Sequence, residues 1–182
     1  YERIYTLDND SPSATIDGVV PQSFYNGSTS ISVHAIDDNY LQTDLYRNGS
    51  STSFKTYTGQ YFGLFWLSDA DYRMVVIDKA RNSTEYNFTI DRVAPDVEIT
   101  SPTISLTNQN IEIKGTVTDN HPDHYYLVVK NSNGSIVAGP GTVNDNTSFT
   151  DKSLYTWNIS SVADGIYTID LEARDAANNK DS

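Results

Sequence analysis

Two halves of this chain repeat each other, and that repeat limits the fold more than any other feature. SPSATI (11–16) corresponds to APDVEI (94–99), and ISVHAIDDN (31–39) to IEIKGTVTDN (111–120). LYRNGS (45–50) corresponds to VVKNSNGS (128–135), and YRMVVIDKARN (72–82) to YTIDLEARDAANN (167–179). Each copy has the length of one small domain. Within a copy, apolar and polar residues alternate in short runs broken by Asn, Asp and Gly, which is the period of half-buried strands and not of helices. The inward sets are Ile31, Val33 and Ala35; Tyr86, Phe88 and Ile90; and Tyr155, Trp157 and Ile159. The expectation is an all-β protein of two tandem two-sheet sandwiches, domain 1 over 9–91 and domain 2 over 92–182. The extra length of domain 2 falls in AGPGTVNDNTSFTDKS (138–153), whose Gly, Pro and Asn content reads as a long loop.

The repeat is uneven at its ends. In domain 1, Asn82 is followed by STEYNFTID (83–91), the last strand; in domain 2, the corresponding Asn179 is followed by Lys180, Asp181 and Ser182 alone. Domain 2 is therefore expected to lack its own last strand. Residues 2–8 carry a match to that strand: Glu2 with Glu85, Tyr5 with Phe88, Thr6 with Thr89, Leu7 with Ile90 and Asp8 with Asp91. Arg3 against Tyr86 and Ile4 against Asn87 do not match. A sandwich short of a strand exposes unpaired backbone and an apolar groove. Two readings remain open. Either the sequence is an excerpt of a longer array, with strand 1–8 belonging to the preceding domain, or residues 1–8 of one subunit enter domain 2 of the next, with Tyr5 and Leu7 as the apolar side of the donated strand.

Composition restricts the setting. There is no cysteine, so no disulfide supports either domain. A net charge of −12 repels phosphate backbones and argues against nucleic acid. No apolar run is long enough to span a membrane, and the chain begins at Tyr1 without a signal peptide, as a mature or excised piece does. Asn-X-Ser/Thr occurs at Asn9, Asn26, Asn48, Asn82, Asn87, Asn133, Asn146 and Asn158. Roughly three or four such sites would arise by chance in so Asn-, Ser- and Thr-rich a chain. Asn87 and Asn158 alternate outward from their strands, which suits glycosylation, and the expected location is extracellular or on the cell surface.

The motifs Asp91 to Pro95, Thr118-Asp119-Asn120, Asp164-Gly165-Ile166-Tyr167 and Asp175-Ala176-Ala177-Asn178-Asn179 resemble those of the tandem immunoglobulin-like repeats (Big-type) of bacterial and archaeal surface-layer, adhesin and filament proteins. The resemblance covers nearly the whole chain. It implies immunoglobulin-like sandwiches joined head to tail, with copies of the chain or neighbouring repeats as partners, and a structural role in a filament, S-layer or adhesin stalk. The family's turn glycine is Asn178 in domain 2 and Arg81 in domain 1. Arg tolerates a left-handed backbone poorly, so the turn at Arg81 is expected to be built differently.

The resemblance also implies Ca²⁺ at domain junctions, and the residues allow it. In such a sandwich the loops after the second and sixth strands share an end with the incoming linker. This directs Asp91, Asp119, Asn120, Asp123 and Asp175 to the junction, and Asp8, Asp10, Asp37, Asp38 and Asp78 to the upstream end of domain 1. Clustered carboxylates repel unless neutralised, and Ca²⁺ takes six to eight such oxygens; turn capping by Asp and Asn is the plainer role. His121 and His124 lack a convincing third ligand for zinc. Motifs for Cys, Ser, phosphate or zinc-peptidase chemistry are absent, and Lys114 alternates outward, against an isopeptide crosslink, so no enzyme is expected. The aromatic residues of 57–67 and 123–129 admit an alternative as a carbohydrate- or receptor-binding module, and a further one is an accessory domain of a secreted enzyme.

Overall fold

In the computed structural model, which describes residues 1–27, 30–103 and 107–182, the described residues form fifteen β-strands, and the chain divides into two compact units, Tyr1–Arg92 and Val93–Ser182. Among the described residues, no helix is long and apolar enough to cross a membrane.

The first unit holds β1 (Ser13–Asp17), β2 (Phe24–Tyr25), β3 (Ile31–Ile36), β4 (Tyr40–Arg47), β5 (Lys55–Tyr57), β6 (Tyr61–Leu64), β7 (Ala70–Asp78) and β8 (Ser83–Ile90). They make a three-stranded sheet, β1-β3-β6, and a five-stranded sheet, β2-β8-β7-β4-β5. Alternation along β3 buries Ile31, Val33 and Ala35, while His34 turns outward and stacks on Tyr61 at 3.9 Å between ring centroids. Facing side chains of the second sheet (Leu45, Tyr72, Met74, Phe88 and Ile90) close the core, with Tyr72 and Phe88 stacked at 5.2 Å. One pairing is parallel: β2 joins the end of β8, with Phe24 opposite Thr89 and Tyr25 opposite Ile90.

The second unit holds β9 (Asp96–Ser101), β10 (Ile111–Thr118), β11 (Pro122–Asn131), β12 (Ile136–Asn144), β13 (Phe149–Trp157), β14 (Tyr167–Asp175) and β15 (Lys180–Asp181). The sheets are β13-β10-β9 and β12-β11-β14-β15. Ile113, Val117, Tyr125, Leu127, Val129, Trp157 and Leu171 form the core, where Tyr167 meets Trp157 edge-on at 5.1 Å. Tyr155 and Ile159 pack against this core beside Trp157, as the alternation requires.

The long loop expected at 138–153 is instead most of two strands. β12 pairs with β11 and β13 pairs with β10, leaving only residues 145–148 between them. Gly139 and Gly141 read as loop residues, but they take φ of 112° and 75° at irregularities in the β11–β12 register. A side chain at Gly139 would lie 2.5 Å from the Leu127 carbonyl oxygen. The glycines therefore let a twisted, bulged strand continue where a loop is expected.

The two units share the pairing that follows the penultimate long strand. β8 runs beside β7 for eight residues, whereas β15 adds two beside β14. The register is shared: Ile77 faces Ser83 and Val76 faces Thr84, and likewise Arg174 faces Lys180 and Ala173 faces Asp181.

Candidate functional site

Two features stand out, a polar latch present in both units and a groove present in the second.

The latch starts from an aspartate at the end of the penultimate long strand. In the first unit, Asp78 is fully buried, and Asn82 holds both its carboxylate oxygens. The Asn82 backbone N–H donates to Asp78 Oδ1 at 2.8 Å, and Asn82 Nδ2 donates to Oδ2 at 2.7 Å. Asn82 Nδ2 also donates to the Asp8 carbonyl at 3.1 Å, tying down the incoming segment. In the second unit Asp175 is buried at 2% exposure, and Asn179 repeats the two bonds at 2.8 and 2.7 Å. Asn179 Nδ2 reaches the Val93 carbonyl at 3.2 Å. A buried carboxylate needs such donors, because leaving one unsatisfied costs several kcal/mol.

The turn at Arg81 is not built differently. Arg81 takes φ of 75° and Asn178 takes 67°, with matching backbone bonds from Arg81 N to the Asp78 carbonyl and from Asn178 N to the Asp175 carbonyl. The latch fixes the residues on either side of Arg81, and so imposes the left-handed conformation despite its cost.

Around Asp78 the structure brings Asp8 and Asp37 close, with one carboxylate oxygen from each of the three lying within 4.8 Å of the others. Asn39 donates from Nδ2 to Asp8 Oδ2 at 2.7 Å and from its backbone to Asp37 Oδ1 at 2.6 Å. Asp10 and Asp38 are exposed, and Asp10 only donates its backbone N–H to Asp8 at 3.2 Å. In the second unit, Asp119 Oδ1 accepts the His121 backbone N–H at 2.6 Å, Asn120 is exposed, and Asp123 pairs with His124. Asp91, in the first unit, is buried and donates its N–H to the Tyr25 carbonyl at 2.9 Å. The structural equivalents are thus Asp37 with Asp119 and Asn39 with His121, because the Asn39 and His121 carbonyls accept from Lys79 N and Ala176 N. The sequence alignment is one residue off here; the aspartate turn closing onto the residue two further on was the signal that would have set it.

The groove lies along β14. Val97, Ile99, Tyr126, Ile169 and Leu171 line a cleft of about 520 Å³. In the first unit the corresponding surface is covered by β8. There Phe88 and Ile90 are 3% and 1% exposed, and Tyr86 accepts a hydrogen bond from Ala14 N at 2.8 Å. In the second unit Ile99, the counterpart of Ile16, is 36% exposed. Lys180 Nζ bonds Glu172 at 3.0 Å beside the groove, and this ammonium, with Arg174, holds the Glu172 carboxyl below its ordinary range.

The segment 1–8 forms no strand, and Tyr5 and Leu7 are 77% and 87% exposed. Of the sequon asparagines, Asn9, Asn26, Asn48, Asn87, Asn133, Asn146 and Asn158 are exposed; Ser28 of the Asn26 sequon lies outside the described residues. Asn82 is half-buried with Nδ2 engaged in the latch, and a glycan there would take one of the two protons it donates. Of the aromatic candidates, Tyr57, Phe62 and Tyr125 pack with the cores, while Tyr61, Phe65 and Trp66 are exposed.

No protein-family model matches the chain, and no curated protein matches it. Among solved structures, a crystal structure of a tetra-tandem repeat in the extending region of a large adhesion protein is similar, at 19% identity and a TM-score of 0.47 over 93% of this chain. The chain spans about half of that structure, 47% of its length.

The latch carries one direct prediction. Arg81→Gly should raise first-unit stability in urea by about 0.5–1 kcal/mol, since glycine removes the left-handed strain at some entropic cost. A lower denaturation midpoint would contradict the account of the turn.

Proposed function

We propose that this chain is a non-catalytic structural link in a linear, extracellular array of immunoglobulin-like sandwiches, of the kind that builds filaments, surface layers or adhesin stalks. In this reading the second unit is completed by a strand that comes from outside residues 93–182. The observation that carries it is the repeated sandwich, in which β15 takes up beside β14 the register that β8 takes beside β7, so that a strand continuing from it pairs along β14. An edge of unmet N–H and C=O groups beside apolar side chains accepts an added strand readily. Array formation then needs no reaction, only burial and backbone pairing. The negative net charge and the exposed sequons suit a hydrated extracellular surface.

A divalent cation, Ca²⁺ by ligand type, is a second part of the proposal, favoured by the approach of Asp8, Asp37 and Asp78 at the end of the first unit. Ca²⁺ at about a hundredfold over its dissociation constant should then stabilise the first unit by roughly 2.7 kcal/mol, and Asp37→Ala should remove the effect. A first-unit midpoint equal in Ca²⁺ and in EDTA would contradict the cation site.

The array reading is tested by closing the groove in cis. Replacing Lys180–Ser182 with the sequence of residues 83–91 supplies a full last strand directly after Asn179. Each of its two large inward side chains should contribute about 1.5–3 kcal/mol when buried. The second unit should gain several kcal/mol in urea, and the grafted chain should no longer add to other copies. An unchanged second-unit midpoint would show that the groove does not take such a strand.

A further inference from the structure

The end of the first unit that carries the β4–β5 and β6–β7 connections departs from the repeat. Counting back equally from the latch aspartates Asp78 and Asp175 reaches Tyr72 and Ile169, which pair with Arg47 and Val129. Val129 is fully buried in the second core, whereas Arg47 is exposed. A cation thus stands in the first unit where the second has a core aliphatic. The connections differ in the same direction. Phe65-Trp66-Leu67-Ser68-Asp69 joins β6 to β7, while residues 158–166, which join β13 to β14, include no aromatic. The sandwich forms with either set, so packing does not require the cation or the aromatic pair, and a local rule broken without a structural gain marks a site.

These residues line one open cleft of about 260 Å³. Phe54, Phe65 and Trp66 are exposed around it, Trp66 at 94%. The Arg47 guanidinium lies 5.4 Å from the centre of the Phe54 ring, and the Lys55 ammonium 5.6 Å from that of Tyr57. Acids outnumber Lys and Arg by 24 to 12 in the chain, yet no Asp or Glu lines this cleft. Among the described residues, neither Arg47 nor Lys55 makes an ion pair. Trp66 takes φ of 58°, a conformation that a bulky residue keeps only where its surroundings impose it. They do so here. Tyr72 Oη donates to the Ser68 carbonyl at 2.9 Å, and Arg92 Nη2 to the Leu67 carbonyl at 3.2 Å. The Phe65 ring covers Gly63 so closely that a Cβ there would lie 2.4 Å from it. The indole is therefore held outward by an anchored loop.

We propose that this cleft binds one acidic sugar ring, a pyranose bearing a carboxylate, on a glycan. Trp66 and Phe65 offer flat apolar faces to the C–H side of the ring. Arg47 and Lys55 take the carboxylate through charge-assisted hydrogen bonds, and the guanidinium fork suits its two oxygens. Ring contacts already hold both cations at the cleft, so little order is lost when they bind. The volume falls below the roughly 300–1,000 Å³ of pockets for larger ligands, which limits the occupant to a single ring. A peptide strand is a poor occupant, because β5 beside the cleft offers only three residues to pair with. The net charge of −12 opposes an anion at long range, so the two contact cations have to supply the selectivity. The site lies wholly within the first unit and does not depend on the array reading.

Of the chain's 2 Trp, Trp157 is buried and Trp66 exposed, so a change in indole emission on adding sugar reports this cleft. The full chain is titrated with methyl β-glucuronide and with a methyl α-sialoside, each beside its methyl ester, which keeps the ring and removes the charge. At least one acid should shift the emission saturably in the millimolar range. It should bind at least about tenfold tighter than its ester, the weight of one charge-assisted hydrogen bond. The acid that binds shows whether a uronate or a sialate is the source. Replacing both cations (R47Q/K55Q) should reduce the acid to the affinity of its ester. Trp66→Ala should abolish saturation transfer from protein to sugar in NMR. All three side chains are exposed, so the first-unit melting midpoint should not move. Failure of both acids to bind would overturn the site. Equal affinity of acid and ester would overturn the anionic class, and saturation transfer unchanged in Trp66→Ala would overturn the location.

Discussion

A sheet cannot end without consequence, because its last strand presents a row of backbone donors and acceptors beside whatever apolar side chains face the gap. The edge of β14 is the constraint on which the rest of this protein depends. In the first unit the same edge, on β7, is paired along its length by β8, whose Phe88 and Ile90 fill the space between the sheets. In the second unit the pairing stops at Asp181, and the cleft beside Ile169 and Leu171 remains. The two halves share one strand arrangement, and β15 takes up the register of β8 at its first two positions.

The latch explains why the register at that edge is so well defined. Asp78 and Asp175 are buried carboxyl groups, each held by the asparagine four residues on. That bond fixes the turn, and the turn sets the first residues of the last strand opposite the penultimate one. The same asparagine reaches back to a carbonyl of the incoming segment, at Asp8 in one unit and Val93 in the other. Entry of the chain, turn and strand register are therefore coupled through one side chain. The latch even imposes a left-handed conformation on Arg81, which on its own would avoid it.

Much of this was legible in the sequence. Period-2 alternation identified the buried sets of β3, β8 and β13, because one face of each strand is dry and the other wet. Comparison of the two halves aligned Asn82 with Asn179, the two side chains that make the latch. Other features were hidden for physical reasons. Gly139, Pro140 and Gly141 carry loop composition, yet their neighbours pair with β11, and only the partner strand decides that. The place of Asp37 in the carboxylate group depends on a turn closing two residues on, a detail that residue-by-residue alignment shifted by one. The parallel pairing of β2 with β8 is a long-range contact of two residues, too short to carry a pattern of its own.

Amide hydrogen exchange along β14 tests the central claim most directly. The N–H groups of Tyr167 to Glu172 that do not bond β11 should exchange readily in dilute solution. With residues 83–91 grafted after Asn179, they should slow by at least on the order of a hundredfold, as the added strand takes them up. Amides along β7 in the first unit should be protected with and without the graft. If the β14 amides exchange at the same rate in both chains, the groove does not take a last strand.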